Sequence, residues 1–127
     1  MIPDILQNEI TDLEKVGYQI QLKEVGNKIY IVFKDYKLPK GYNIEKTDLL
    51  IWTQTMYPSC AFDMFWANSM LTLENGGVPQ ASTLDIQDNV RWRRFSIHPY
   101  NVKAWNPAED NLKGFMAYIN KRLNTLV

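Results

Sequence analysis

The chain has 127 residues, 46% of them hydrophobic, and its fourteen Lys and Arg are balanced by fourteen Asp and Glu. That length suits one domain spanning residues 1–127 around a single core, and the zero net charge gives no overall electrostatic case for nucleic acid or an anionic membrane. One cysteine excludes an intrachain disulfide framework, and one cysteine with one histidine cannot supply a structural zinc site.

The first predicted element is a short amphipathic helix, set by Pro3 near the start and by Leu6, Ile10 and Leu13 at helical spacing, and ending before Gly17. Its acids, Asp4, Glu9, Asp12 and Glu14, read as a solvated face favourably placed near a helix start, or as a docking face for a basic partner. Tyr18, Ile20 and Leu22 alternate with polar residues, Gly26-Asn27 provides a turn, and Ile29 to Phe33 is β-rich, so these runs predict a hairpin. Residues 35–43, DYKLPKGYN, are turn-rich. A third strand is expected over Asp48 to Gln54, where near-continuous apolar character suits a covered sheet, and Tyr57-Pro58 ends it. Phe62 to Trp66 and Leu71 to Leu73 continue in extended form, interrupted at Asn68-Ser69. The polar run from Glu74 to Asn89 is expected to be a surface loop.

Beyond it, Val90 and Trp92 share one strand face while Phe95 and Ile97 have the opposite parity. A bulge near Arg93 and Arg94 is therefore expected to turn all four toward one core. Asn106, Pro107 and Glu109 fit the N-cap, first and third positions of a second helix, where each meets an unpaired amide. Leu112, Phe115, Met116, Ile119 and Leu123 form its apolar stripe, running to about Asn124. The order predicts an α+β domain in which an N-terminal helix and a C-terminal helix cover a four-stranded antiparallel meander. No stretch approaches the roughly 20 apolar residues that span a bilayer. The N-terminus also lacks the basic region and apolar run of a secretory signal, so a cytoplasmic protein is expected.

The chemistry-bearing residues cluster between Arg91 and Leu112, around the only histidine. An imidazole at His98, on a loop before a helix, can act as a general base or in principle hold an acyl group, although acyl-imidazoles hydrolyse readily. The bland alternative is a histidine that only bonds its own loop. Ser96 lies two residues away, where an extended segment would put it on the same face, and Asp63 or Asp110 could orient the ring. Cys60, the only thiol, is either a small buried hydrophobe or an acyl carrier brought close to His98 by the fold. Arg91, Arg93 and Arg94 interleave with Trp92 and Phe95, a pattern that fits an ordinary half-buried strand, stacked bases on a phosphate backbone, or a surface that receives a partner's carboxylate. Gly76-Gly77 lacks the lysine and helix of a phosphate-binding loop, and no cofactor or metal is indicated.

Three motifs, taken in order, resemble the ubiquitin-conjugating (E2) fold, and more specifically its bacterial relatives, prokaryotic E2 family E. Tyr57-Pro58 followed by Asp63-Met64-Phe65-Trp66 is similar to the strand connection of E2 proteins. Trp105-Asn106-Pro107-Ala108 resembles the W-[ST]-P-A step after the E2 active site, and the run from Arg91 to His98 resembles the W-x-R-[WF]-S-x-H run of the bacterial family. The resemblance covers about Leu6 to Leu123 and implies a UBC-like fold and a place in a bacterial ubiquitin-like modification pathway. It implies as partners a ubiquitin-like protein, an E1-like activating protein and a JAB-type peptidase. One departure bears on activity: the position where a standard E2 carries its nucleophilic cysteine falls here at Ile97, between Ser96 and His98. The expected site residues are therefore His98, with Cys60 and Ser96 as lesser catalytic candidates. Arg91, Trp92, Arg94, Trp105 and Asp63 are the expected binding residues.

Overall fold

The computed structural model describes residues 1–127. Helix α1 covers Asp4–Lys15 and buries Leu6, Ile10 and Leu13, the three residues whose spacing predicts it. Strand β1 (Gln19–Val25) pairs with β2 (Lys28–Lys37) in an antiparallel hairpin whose last pair is Val25 with Lys28. Gly26, at φ 61°, takes the left-handed conformation that a two-residue hairpin turn needs at its first central position. Strand β3 (Lys46–Gln54) lies beside β2, and the short β4 (Phe65–Asn68) beside β3. Strands β5 (Ser82–Gln87) and β6 (Val90–Phe95) form a second hairpin, and the six-stranded sheet has the order β1-β2-β3-β4-β6-β5. A single helical turn, α2 (Pro99–Val102), precedes α3 (Leu112–Leu123), which buries the expected stripe. No helix is long and apolar enough to cross a membrane.

The fold is the expected α+β, UBC-like arrangement, with three differences of detail. The sheet has six strands rather than four, because residues 74–89 are not all loop: they contain β5 and an Asp88-Asn89 turn. Both turn residues have positive φ, at 50° and 64°, the geometry of a type I′ hairpin that Asp and Asn tolerate. Strand β5 is an edge strand set among polar and turn-forming residues, which mask its short Leu84–Ile86 alternation.

The second difference lies in β6, whose pairing with β4 and β5 runs without a register shift. With no bulge, parity decides: Arg93 and Phe95 turn to the helix face while Trp92 turns to the other, and Val90 stays exposed. The sheet's irregularity sits in β2, where a register shift between Phe33 and Tyr36 and a positive φ at Asp35 let both rings enter the same core. The third difference is the start of α3. Asn106 closes its own turn, its side chain accepting from the Ala108 amide and its amide donating to the Asp110 carboxylate. The chain then restarts at Leu112 with Asn111 as the N-cap, whose Oδ1 accepts from the Gly114 amide at 2.9 Å.

The main core lies between one sheet face and the two longer helices. Ile29, Ile31, Phe33, Leu49, Ile51, Phe65 and Phe95 from the strands meet Leu6, Ile10, Phe115 and Ile119. Burying each such side chain contributes about 1.5–3 kcal/mol. The other sheet face carries a smaller cluster of Tyr30, Leu50 and Trp66, flanked by Val32, Trp52, Met64 and Trp92.

One polar contact ties the helices together. Glu9 is half-buried rather than solvated. Its carboxylate accepts the Tyr57 hydroxyl through both oxygens, at 2.9 Å each, and the Leu112 amide at 2.8 Å. It thus places a negative charge on the first free amide of α3, where the helix dipole favours it. Burial, and then the adjacent Glu9 carboxylate, push the Tyr57 phenol well above its usual range, so it remains a donor. Glu9→Gln is expected to lower stability by about 1–3 kcal/mol, measured as a lower urea midpoint. Tyr57→Phe should add less in the Glu9→Gln background than alone, because both remove one network.

Candidate functional site

After β6 the chain turns sharply, with the Ile97 amide donating to the Phe95 carbonyl. His98 then stands immediately before α2, its carbonyl accepting from the Asn101 amide. Rings hold this segment from below. Tyr100 packs edge-on against Trp105, with centroids 4.8 Å apart, and against Tyr118. Trp105 in turn contacts Tyr57 and Phe62, and Phe62 stacks on Phe115. The Trp105 indole N–H donates to the Pro58 carbonyl at 2.8 Å, which pins the segment after α2 to the loop after β3. Burial first, then the nearby Asp110 carboxylate, raise the Tyr100 phenol above its usual range, so it stays neutral among these rings.

His98 Nδ1 lies 2.7 Å from Asp63 Oδ1, with side-chain exposures of 43% and 57%. Of the two acids that could orient the ring, the fold brings Asp63, while Asp110 is taken up by the Asn106 turn. A carboxylate is acceptor-only when ionised, so this contact places a proton on Nδ1. It leaves the Nε2 lone pair of a neutral ring available. The result is an exposed imidazole of defined tautomer, which is what a general base requires.

The other candidates are distributed as follows. Cys60 is half-buried, its Sγ 3.2 Å from the Thr53 hydroxyl, and it lines a small cavity of about 150 Å³ with Asp63, Met64, Trp52 and Trp66. His98 does not line that cavity, so Asp63 stands between the thiol's hollow and the imidazole. The turn at Phe95-Ile97 breaks the extended geometry that would align Ser96 with His98, and the Ser96 amide bonds the Ala81 carbonyl. Arg94 lies 3.8 Å from Asp85, whose carboxyl is held below its usual range chiefly by the Trp66 indole N–H. Trp92 packs near Trp66 on the sheet face away from the helices, and Arg91 is exposed. These three form no part of the surface around His98. No group of three His, Cys, Asp or Glu is placed to hold a metal ion.

Residues not singled out by sequence complete the surroundings of His98. A hollow of about 370 Å³ is lined by Ile97, His98, Pro99, Tyr118, Lys121, Arg122 and Thr125, with two cations and no acid. Arg122 is fixed there by donating to the Gln80 and Thr125 carbonyls and by covering the Phe95 ring. In the sequence Lys121 and Arg122 read only as the basic last turn of a helix, since nothing local links α3 to the loop before α2.

The Asp63 contact has a direct spectroscopic consequence. Above the range in which imidazole is protonated, long-range 15N–1H spectra should show His98 with its proton on Nδ1. In Asp63→Asn the ring should lose that preference and populate the Nε2–H form. An unchanged tautomer in Asp63→Asn would show that the carboxylate does not orient the ring.

A helix, an antiparallel sheet and a C-terminal helix, with the Tyr57-Pro58 connection and the Trp105 step packed together beside His98, set the frame for comparison. No curated protein and no solved structure matches the chain. The model of one protein family, described as prokaryotic E2 family E, matches residues 5–125. The chain belongs to that family and is E2-like.

Proposed function

We propose that this E2-like chain serves in a bacterial ubiquitin-like protein modification pathway, where it handles the activated C-terminus of a ubiquitin-like protein. The observation that carries the reading is the Asp63–His98 pair, exposed on the segment where an E2 scaffold would carry its nucleophile. The partners are a ubiquitin-like protein and an E1-like activating protein, with a JAB-type peptidase in the same pathway, and the setting is the cytoplasm. The E1-like protein delivers the ubiquitin-like C-terminus as a thioester. A nucleophile, an amine or water, attacks its acyl carbon. The new C–N or C–O bond forms, the C–S bond breaks with departure of the thiolate, and His98 Nε2 takes the nucleophile's proton. Asp63 holds the ring and stabilises the imidazolium that forms. Lys121, on the wall of the same hollow, faces the developing oxyanion or the tail's carbonyls.

One observation favours a second reading, a non-catalytic E2 variant that binds and positions the ubiquitin-like or E1-like protein. The only thiol lies in the hollow behind Asp63, bonded to Thr53, so the chain has no cysteine on the exposed segment to carry an acyl group.

The test combines the chain with the E1-like protein, ATP and the ubiquitin-like protein, and follows loss of the E1-bound thioester on non-reducing gels. The wild type is expected to accelerate that loss, His98→Ala to cut the acceleration by about 10²-fold or more, and Cys60→Ser to leave it intact. A thiol-sensitive adduct on this chain that disappears in Cys60→Ser would instead make Cys60 a carrier. Association without acceleration selects the positioning role, and absence of association with either protein overturns both readings.

A further inference from the structure

The sheet has two edges, and they are built differently. At β1 the charged side chains are already paired: Glu24 with the N-terminal amine at 2.6 Å, and Lys23, across the open sheet face, with Asp88 of the β5–β6 turn at 2.5 Å. At β5 the only neighbour is β6, and the strand's outer backbone groups have no partner strand. On the helix-side face of β5 the alternate residues are Ser82, Leu84 and Ile86, of which Leu84 and Ile86 are 47% and 63% exposed. No proline interrupts the strand, and its one acid, Asp85, faces the other way toward Trp66 and Arg94.

Directly across from Leu84 stands Arg93, only 9% exposed. Its Nη1 donates to the Ser82 hydroxyl at 3.1 Å, so the guanidinium reaches from β6 over the edge strand. Its Nε is buried without any partner, and none of the chain's ion pairs includes Arg93 or its same-face neighbour Arg91. Arg94 also has a buried, unpartnered Nε, but its guanidinium faces Asp85. A guanidinium taken out of water with no carboxylate costs stability. Arg93 therefore has a cost in the isolated chain that a carboxylate brought from outside would remove.

We infer that the β5 edge is a docking site for an extended peptide segment of another protein, one bearing acidic side chains that pair with Arg93. Such a segment adds a seventh strand about 4.8 Å beyond β5, and its backbone satisfies the free edge. Its alternate side chains lie beside Leu84 and Ile86, where an apolar residue covers Ile86 and an acid reaches the Arg93 guanidinium. A second copy of this chain fits less well. Two β5 strands paired antiparallel through their edges present only Ser82, Leu84 and Ile86 to that face, and Arg93 stays without a carboxylate. The site is separate from His98 and does not depend on what His98 does.

The test selects a random-peptide phage library on the full chain and measures the selected peptides, synthesised with a fluorophore, by anisotropy. The expected peptides alternate, lack proline and carry acids on one face. Their affinity should fall about tenfold or more in Arg93→Leu. Arg93→Leu should keep or raise the thermal midpoint, since the buried guanidinium it removes has no carboxylate partner in the free protein and only the Ser82 hydroxyl as a hydrogen-bond acceptor. Leu84→Glu, which supplies a carboxylate from directly across, should also raise the midpoint and weaken the same peptides. Selected peptides without acids, or peptides that bind Arg93→Leu and Leu84→Glu as tightly as the wild type, overturn the inference. So does a dimer seen by sedimentation that dissociates in Leu84→Glu, because the edge would then belong to a second copy.

Discussion

The carboxylate of Glu9 joins three segments that are far apart in the chain. It reaches from α1 to the Tyr57 hydroxyl after β3 and to the first amide of α3. These are the segments that carry the surroundings of His98. The Tyr57 loop supplies Asp63 and the Pro58 carbonyl, and α3 supplies Phe115, Tyr118, Lys121 and Arg122. A half-buried acid shared by two donors is directional in a way that apolar packing is not. It ties the start of α3 to α1 and to the loop after β3, the segments that flank the imidazole.

The platform under His98 separates support from chemistry. Tyr57, Phe62, Tyr100, Trp105 and Phe115 form a chain of ring contacts, and two of these residues also make polar anchors, Tyr57 to Glu9 and Trp105 to Pro58. A loop held this way can leave its polar residue exposed without being free to wander. The Asp63 contact then fixes the remaining freedom, the rotation and tautomer of the ring. The thiol at Cys60 belongs to the same neighbourhood but sits on the far side of Asp63, where Thr53 receives it. The chain keeps the family's fold, and the side chain exposed on this loop is an imidazole rather than a thiol.

Much of this was legible from residue spacing. Leu6, Ile10 and Leu13 marked α1, the stripe from Leu112 to Leu123 marked α3, and Gly26-Asn27 marked the first hairpin, because periodicity and turn chemistry are local. The family was legible as well, through short motifs in the right order. What stayed hidden depended on contacts between distant positions. Glu9 reads as one more solvated helix acid until α3 is placed against it. Lys121 and Arg122 read as a basic last turn until the His98 segment lies beside them. Other differences are local. The Asp88-Asn89 turn was a hairpin signal that the polarity of its surroundings obscured. The bulge expected in β6 assumed that a tryptophan must join the main core, whereas Trp92 has a second cluster to join.

The proposed function requires a ubiquitin-like C-terminus to meet this protein on the surface around His98. Its most direct measurement is amide chemical-shift mapping of the 15N-labelled chain during titration with that ubiquitin-like protein. The largest changes are expected from Ile97 to Lys103, at Asp63, and along Tyr118 to Arg122. Changes confined to the opposite sheet face around Trp52 and Trp92, with the His98 segment unmoved, would contradict it.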